Sequence, residues 1–232
     1  MFLNFNTLLS NYLHISNIRK LHKKNYNLYK IVNNGYIINL VYISSNLYKL
    51  YKLIFSLTLK KYYITLINTT HLHNNTIVNY LVKFTKSTYF SKKWINGILT
   101  NEDILSSFII TYTFLYRLDM SNNYSLKNRF KNLKSKYNFT KYLKNMEFSK
   151  FIFFINLDSN LPAVKESIFK NKFIMGMHDL NFNTDLIDFG LCCNNTNPKA
   201  INFILKFITT SLISAQSVKF GKLKKKITLE QQ

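Results

Sequence analysis

Read as a pattern of apolar and polar positions, the chain falls into short apolar runs separated by longer stretches of helical period. Five runs have strand length: "GYIINLVYI" (35–43), "YYITLINT" (62–69), "KFIFFINLD" (150–158), "KFIMGMHD" (172–179) and "IDFGLCC" (187–193). Within them apolar residues follow one another instead of alternating with polar ones, as in strands covered on both faces. Between them lie helical patterns. Ile201, Leu205, Ile208 and Leu212, joined by Ile204, form one stripe, and Asn197 followed by Pro198 gives that helix an N-cap and a preset first turn. Ser159 to Asn171 reads as a crossover helix with Pro162 near its start. Strands alternating with helices predict βαβ units and a parallel sheet.

The segment from about Glu102 to Ser149 breaks that rhythm. It opens apolar (Leu105, Phe108, Ile109, Tyr112, Leu115), turns polar at "DMSNNYS", and resumes with Leu126, Phe130, Leu133 and Tyr137 at helical spacing among lysines. This predicts an inserted helical hairpin with a basic outer face. The expected organisation is therefore an α/β body over 1–101 and 150–218, the hairpin over 102–149 and a basic tail over 219–232. No internal repeat or Gly/Ser linker marks another boundary, and no apolar run approaches the roughly 20 residues of a membrane-spanning helix.

Composition changes this picture in one respect. Of 232 residues, 32 are Lys or Arg and 10 are Asp or Glu, a formal charge of +22. Such a chain repels itself and seeks a polyanion, with nucleic acid as the favoured partner. Abundant Asn, Lys, Ile, Tyr and Phe, with few Gly, Ala, Arg and Pro, also match an AT-rich coding sequence. That bias inflates Lys without explaining the scarcity of acids. The N-terminus carries neither a small-residue cleavage site nor an Arg- and Ser-rich transit pattern, so a chain working in an organelle is expected to be made there.

Three basic segments are the candidate RNA-binding surface. "RKLHKKNYNLYK" offers Arg19, Lys20, Lys23 and Lys24 interleaved with Tyr26 and Tyr29, a mixture suited to irregular RNA. "SKKWINGILTN" offers Lys92 and Lys93 for phosphates and Trp94 as a stacking plane. Gly97 permits close backbone approach, and Asn96, Thr100 and Asn101 lie in the same loop. "KFGKLKKK" offers Lys222, Lys224, Lys225 and Lys226. Two readings of Trp94 stay open: a surface for bases, or a core anchor that turns its neighbouring lysines outward.

Little else carries chemistry. His71 and His73 lack companions for a metal site. The adjacent Cys192 and Cys193 cannot easily close an ordinary disulfide and read as strand residues. Asp179, Asp185 and Asp188 gather at expected strand ends, where an α/β fold places its sites, and suggest either Mg²⁺ or capping. No glycine-rich phosphate turn or nucleophile–base spacing is present. No catalytic residue, metal or cofactor is expected, and an enzyme using the strand-end aspartates is the alternative.

The stretch "KKWINGILTN" resembles the signature of the bacterial-type ribosomal protein S2 family. Lys93 stands where that family has arginine, and Trp94, Gly97, Leu99, Thr100 and Asn101 stand on matching positions. "LLSNYLHISN" is similar to the family's "LL..G.HFGH", with His14 on its first histidine and Asn17 replacing the second. "GYIINL" resembles "HIINL". "FFINLDSNLPAVKES" carries Asp158, Ala163, Lys165 and Glu166 of a strand–helix block. "GMHDLNFNTDLIDFGLCCNNTNPKAINFI" keeps Asp179, Asn181, Asp188, Asn195 and Ala200. The blocks run in order over about residues 8 to 215. Several family glycines and prolines are lost, as in "NTT" for "GTK" and "LCCNNTN" for "IPGNDD". The resemblance implies a three-layer, Rossmann- or flavodoxin-like parallel sheet with a protruding, coiled-coil-like helical hairpin. It also implies a structural role in the small ribosomal subunit, here of a plastid or mitochondrion. The partners would be rRNA and neighbouring ribosomal proteins, with no membrane and no small-molecule substrate.

Overall fold

Asparagines open several of the helices. In a computed structural model, residues 4–16, 26–32, 35–69, 75–91, 94–120, 131–133, 136–137 and 148–230 are described, without the side chains of 102, 119, 120 and 222–230. Asn4 caps α1 (Phe5–Ser10) by accepting from the Asn6 amide, and Asn39 caps α2 (Leu40–Leu59) by accepting from the Val41 amide. Each side-chain oxygen satisfies an amide that the first helical turn leaves open. Asn39 also interrupts the expected first strand. The apolar run 35–43 is not one strand: it is strand only at Gly35–Ile38, and from Leu40 the chain is helix. Buried Ile43, Leu47, Leu50, Ile54 and Thr58 recur at helical spacing, so one face of α2 meets the core. Gly35–Ile38 moreover lies outside the parallel sheet. With β1 (Ile15–Ser16) and β2 (Leu28–Val32), it forms as β3 an antiparallel sheet of order β1-β3-β2.

The main sheet has five parallel strands: β4 (Ile64–Ile67), β5 (Thr88–Phe90), β6 (Phe151–Phe154), β7 (Phe173–His178) and β8 (Phe189–Cys192). Their order is β5-β4-β6-β7-β8. Four of these fall inside the expected runs. The strand β5 was not anticipated, because three residues are too few to show a period.

Alternation sorts the strand side chains into two cores. Leu66, Tyr89, Phe153, Met175 and Met177 join the α2, α3 (Asn75–Phe84) and α6 (Pro198–Glu230) side. Ile67, Phe90, Ile152, Phe154 and Ile174 join the other, with α4 (Glu102–Met120) and α5 (Leu161–Phe169). These two apolar cores, one on each face, make the three-layer α/β architecture. Tyr89, Phe90, Phe153 and Phe154 are fully buried, each contributing on the order of 2–3 kcal/mol.

The last helix starts as the sequence suggests. Asn197 accepts from the Lys199 amide at 2.9 Å, and Pro198 follows as the first helical residue. The segment Pro198–Gly221 is long and apolar enough by composition to cross a bilayer, although no continuous apolar run of that length is visible. Its apolar stripe, Ile201, Ile204, Leu205, Ile208 and Leu212, is buried against the sheet and α2. The helix continues through Glu230, so the basic stretch after 218 extends it.

Scarce glycine leaves a mark on three helix ends. Tyr12 (φ 56°), Lys61 (φ 69°) and Asn171 (φ 49°) are the non-glycine residues with left-handed backbone among those described. Each follows a helix end and makes the paired bonds of a Schellman turn. At α2, the Lys61 amide donates to Thr58 O at 3.0 Å and the Tyr62 amide to Leu57 O at 3.1 Å. Glycine normally fills that position because any Cβ there costs about 1 kcal/mol.

The inserted segment leaves and rejoins the body at defined points. Leu105 at the start of α4 is buried in the second core, and Phe148 returns to the same core. Ser149 then locks onto β4: its hydroxyl accepts from the Thr65 amide at 2.9 Å, and its amide donates to Thr65 Oγ1 at 3.0 Å. Residues 131–133 and 136–137 are helical, and the Tyr137 ring lies 5.5 Å from that of Phe108 on α4.

Candidate nucleic-acid interface

The loop leaving β5 is built from within. Gly97 has φ 89°, which allows a tight turn closed by Ile98 N–H to Ile95 O (3.2 Å) and Asn101 N–H to Gly97 O (2.7 Å). Ile98 and Leu99 are buried beneath it. Trp94 is half-buried, edge-on to Phe90 at 5.5 Å and tilted against Phe148 at 5.9 Å. Its indole N–H and two loop amides all donate to one carboxylate, Glu166 on α5. Glu166 Oε1 accepts from Trp94 Nε1 at 3.3 Å and from the Gly97 amide at 2.7 Å, while Oε2 accepts from the Leu99 amide at 3.2 Å. Such charge-assisted bonds are roughly twice as strong as neutral ones. The outer positions Asn96, Thr100 and Asn101 are exposed. For Trp94, the anchoring reading prevails over free stacking, because its ring and its N–H are both engaged inward. Lys92 and Lys93 lie outside the described residues and immediately precede it.

A second polar cluster closes the carboxyl ends of β6, β7 and β8. Asp158 Oδ2 accepts from the Asp179 amide at 3.1 Å and from the Asn195 side-chain amide. Asp179 Oδ1 accepts from the Ser16 hydroxyl and from the Leu180 amide at 2.8 Å. Asn195 donates also to Asn156 Oδ1 at 3.2 Å, and Asn194 holds the N-terminal segment by donating to Tyr12 O at 3.1 Å. Each of these oxygens thus ties one loop to another. Burial pushes the His178 ring below its ordinary value, outweighing the nearby Asp158 and Asp179 charges, and its Nδ1 meets Asp179 O at 2.8 Å. Burial likewise pushes Cys192 up to about 12 and Cys193 well above the usual thiol range, so neither presents a reactive thiolate.

The aspartates expected to gather do not. Asp179 lies at the carboxyl end of β7, but Asp188 binds the amino end of the same strand, accepting from the Ile174 amide at 2.7 Å. Asp185 lies in the 3-10 turn Thr184–Leu186 on that far side. A crossing of a six-residue strand, ~20 Å, separates them. Sequence spacing placed them together because the β7–β8 loop returns to the opposite edge. Among the described residues no group of three or more His, Cys, Asp or Glu side chains is placed to hold a metal ion.

The basic segments are distributed by the same geometry. Arg19, Lys20, Lys23 and Lys24 lie outside the described residues, in the stretch that leaves Ser16. Ser16 is tied to Asp179 at the carboxyl edge, the edge from which the Trp94 loop also departs. Lys222, Lys224, Lys225 and Lys226 occupy α6, their side chains outside those described. That helix starts at the carboxyl edge after β8 and runs 33 residues, ~50 Å, past the amino edge. Two candidate segments therefore attach at one edge and the third at the other. Glu166 was missed as a positioning residue. Its only sequence signal is its place in the strand–helix block of the resemblance, since no spacing rule links it to Trp94.

The chain is similar to known proteins over most of its length. Residues 8–215 match the family model of ribosomal protein S2. The chain is 29% identical over 144 residues to small ribosomal subunit protein uS2 of Mesomycoplasma hyopneumoniae, covering 58% of this chain and 45% of that protein. It is 23% identical over 145 residues to small ribosomal subunit protein uS2 of Karelsulcia muelleri, covering 60% and 65%. The matched part thus spans about half to two thirds of the length of these curated relatives.

Proposed function

The chain belongs to the ribosomal protein S2 family, and from that premise we propose that it is a structural constituent of a small ribosomal subunit, binding rRNA and neighbouring ribosomal proteins. The observation that carries this reading is the Trp94 loop. Three donors converge on Glu166 and turn Asn96, Thr100 and Asn101 outward beside Lys92 and Lys93 in the chain. Phosphates suit the lysines, and sugar or base edges suit the short polar side chains. The scaffold is rigid and the outer face is polar, which is what a positioning contact needs. Asp158, Asp179 and Asp188 accept from backbone amides, and Asp188 lies at the opposite strand end from Asp179, so the alternative of a nucleotide- or metal-binding enzyme loses the gathered aspartates it would need.

Two finer assignments go with this proposal. The 102–149 insertion is a helical hairpin reaching towards other ribosomal proteins, supported by the Phe108–Tyr137 ring contact and by exposed Ile110, Phe114 and Tyr116 on α4. The ribosome is that of an organelle with an AT-rich genome, a plastid or a mitochondrion, supported by the dominance of Asn, Lys, Ile, Tyr and Phe. The test is sedimentation of a native organelle lysate, with the protein quantified across the gradient with and without ribonuclease. Stoichiometric co-migration with the small subunit, abolished by ribonuclease, is expected. A slowly sedimenting pool indifferent to ribonuclease overturns the proposal.

A further inference from the structure

At the amino edge of the sheet, opposite the Trp94 loop, a groove of about 1020 Å³ lies where the carboxyl ends of α2 and α3 meet the later turns of α6. Local chemistry shapes it. The Schellman turn after α2 lifts Lys61 and Tyr62 to its rim, and Lys61 holds a left-handed backbone to do so. The α3 end is closed by Thr85, whose hydroxyl donates to Leu81 O at 2.6 Å and accepts from the Ser87 amide at 3.1 Å. Thr58, Thr85, Ser87 and Leu212 are buried and form the floor.

The walls carry one sign of charge. Lys61, Lys83, Lys86 and Lys219 line the groove. Residues 1–101 and 189–229 contain no Asp or Glu, and every lining residue comes from those two stretches. The two helix carboxyl ends bring about half a negative charge each, against four lysines. The groove therefore stays positive by about three charges. Between the lysines stand partly exposed rings. Tyr62, Phe84 and Phe220 are 48%, 51% and 64% exposed; Tyr62 leans on Phe151 at 5.2 Å, and Phe84 is stacked on Tyr80 at 5.9 Å with Lys83 Nζ 5.8 Å from its ring. Alternating cations and exposed ring faces form the platform on which unpaired bases stack while their phosphates follow the charge.

We propose that this groove is a second RNA contact, which takes an unpaired stretch of RNA with bases on Phe84, Phe220 and Tyr62 and phosphates on the four lysines. The inference rests on the RNA-binding role proposed above but concerns the opposite edge of the molecule. A duplex would use the lysines and leave the rings wet, because its bases are already stacked. An acidic polypeptide would engage the charge without needing ring faces.

The test uses the full chain with a 12-nucleotide oligouridylate carrying 4-thiouridine and, in parallel, a 12-base-pair RNA duplex. Photo-crosslinks to Tyr62, Phe84 or Phe220 are expected. Phe84→Ala with Phe220→Ala should weaken single-strand binding at least tenfold while changing duplex binding less than twofold. Both rings are at least half exposed, so melting should fall by only a few degrees. Lys83→Gln with Lys86→Gln should lower the slope of log Kd against log salt by about 1.4, at ~0.7 per phosphate contact on a single strand. Unchanged single-strand affinity in the aromatic variant overturns the inference, as do crosslinks confined to residues 92–101. Displacement of the RNA by polyglutamate, with polyglutamate binding indifferent to the aromatic substitutions, also overturns it and marks a site for acidic polypeptides. None of these results bears on co-sedimentation with the small subunit, so the groove and the ribosomal role fail separately.

Discussion

The two edges of the parallel sheet use polar side chains in opposite ways. At the carboxyl edge, Asp158, Asp179, Asn194, Asn195 and Glu166 turn inward and bind loop backbone groups and one another. At the amino edge, Lys61, Lys83, Lys86 and Lys219 ring an open groove with three exposed aromatics. Open α/β sheets generally bind ligands at the carboxyl edge. In this chain the described carboxylates at that edge serve as loop ties, and among the described residues the Trp94 loop carries outward-facing polar side chains there. The difference teaches that a strand-end carboxylate identifies a site only when its oxygens have no amides to accept from.

The largest blow to this contrast is Trp94→Ala. Removing the ring from between Phe90 and Phe148 and freeing one Glu166 bond should cost about 3 kcal/mol, at the low end for a large aromatic because Trp94 is only half-buried. Chemical denaturation measures it, and a loss below 0.5 kcal/mol would return Trp94 to the status of a free stacking surface. Glu166→Gln comes next, at about 2 kcal/mol, since three donors lose a charged acceptor. Amide hydrogen exchange at Gly97 and Leu99 should accelerate in the same variant, and unchanged exchange there would separate Glu166 from the loop.

At the amino edge the sign reverses. Lys61→Gly should stabilise the protein by about 1 kcal/mol by relieving the left-handed backbone. A destabilised variant would mean that the lysine stem packs usefully against the groove. The smallest effect near neutral pH belongs to His178. Its folded-state value lies below the 6.5 of an exposed ring, so the unfolded chain takes up a proton first as pH falls. His178 therefore leaves stability level above 6.5, lowers it progressively below that point, and adds no further loss once pH is under the folded value. Ring NMR shifts should remain those of neutral imidazole through 6.5, and a transition centred there would show that the carboxyl-edge network is open to water.

Much of the fold was legible because its signals are local. Four of the five parallel strands, the Asn197–Pro198 helix start and the crossover helix with Pro162 follow from period, length and capping residues. The failures have physical causes. The run 35–43 looked like one strand because β-branched and aromatic residues dominate it, yet the single side chain of Asn39 turns it into a helix start. The three-residue strand β5 is too short to have a period and exists because β4 offers it partners. Candidate contacts were legible as residue types, notably the polar residues of the Trp94 loop, but not as a surface.

By itself, then, the sequence determined the α/β class, the charge that calls for a polyanion and the helix ends, because each rests on residues within a turn or two of one another. Only the tertiary structure decided that Glu166 would hold the Trp94 loop from 69 residues beyond Gly97. It alone separated Asp188 from Asp179 and gathered four lysines, from two helix ends and the later turns of α6, into one groove. Those outcomes depend on which strands pair and where each helix returns, and pairing is fixed by burial summed over the whole core.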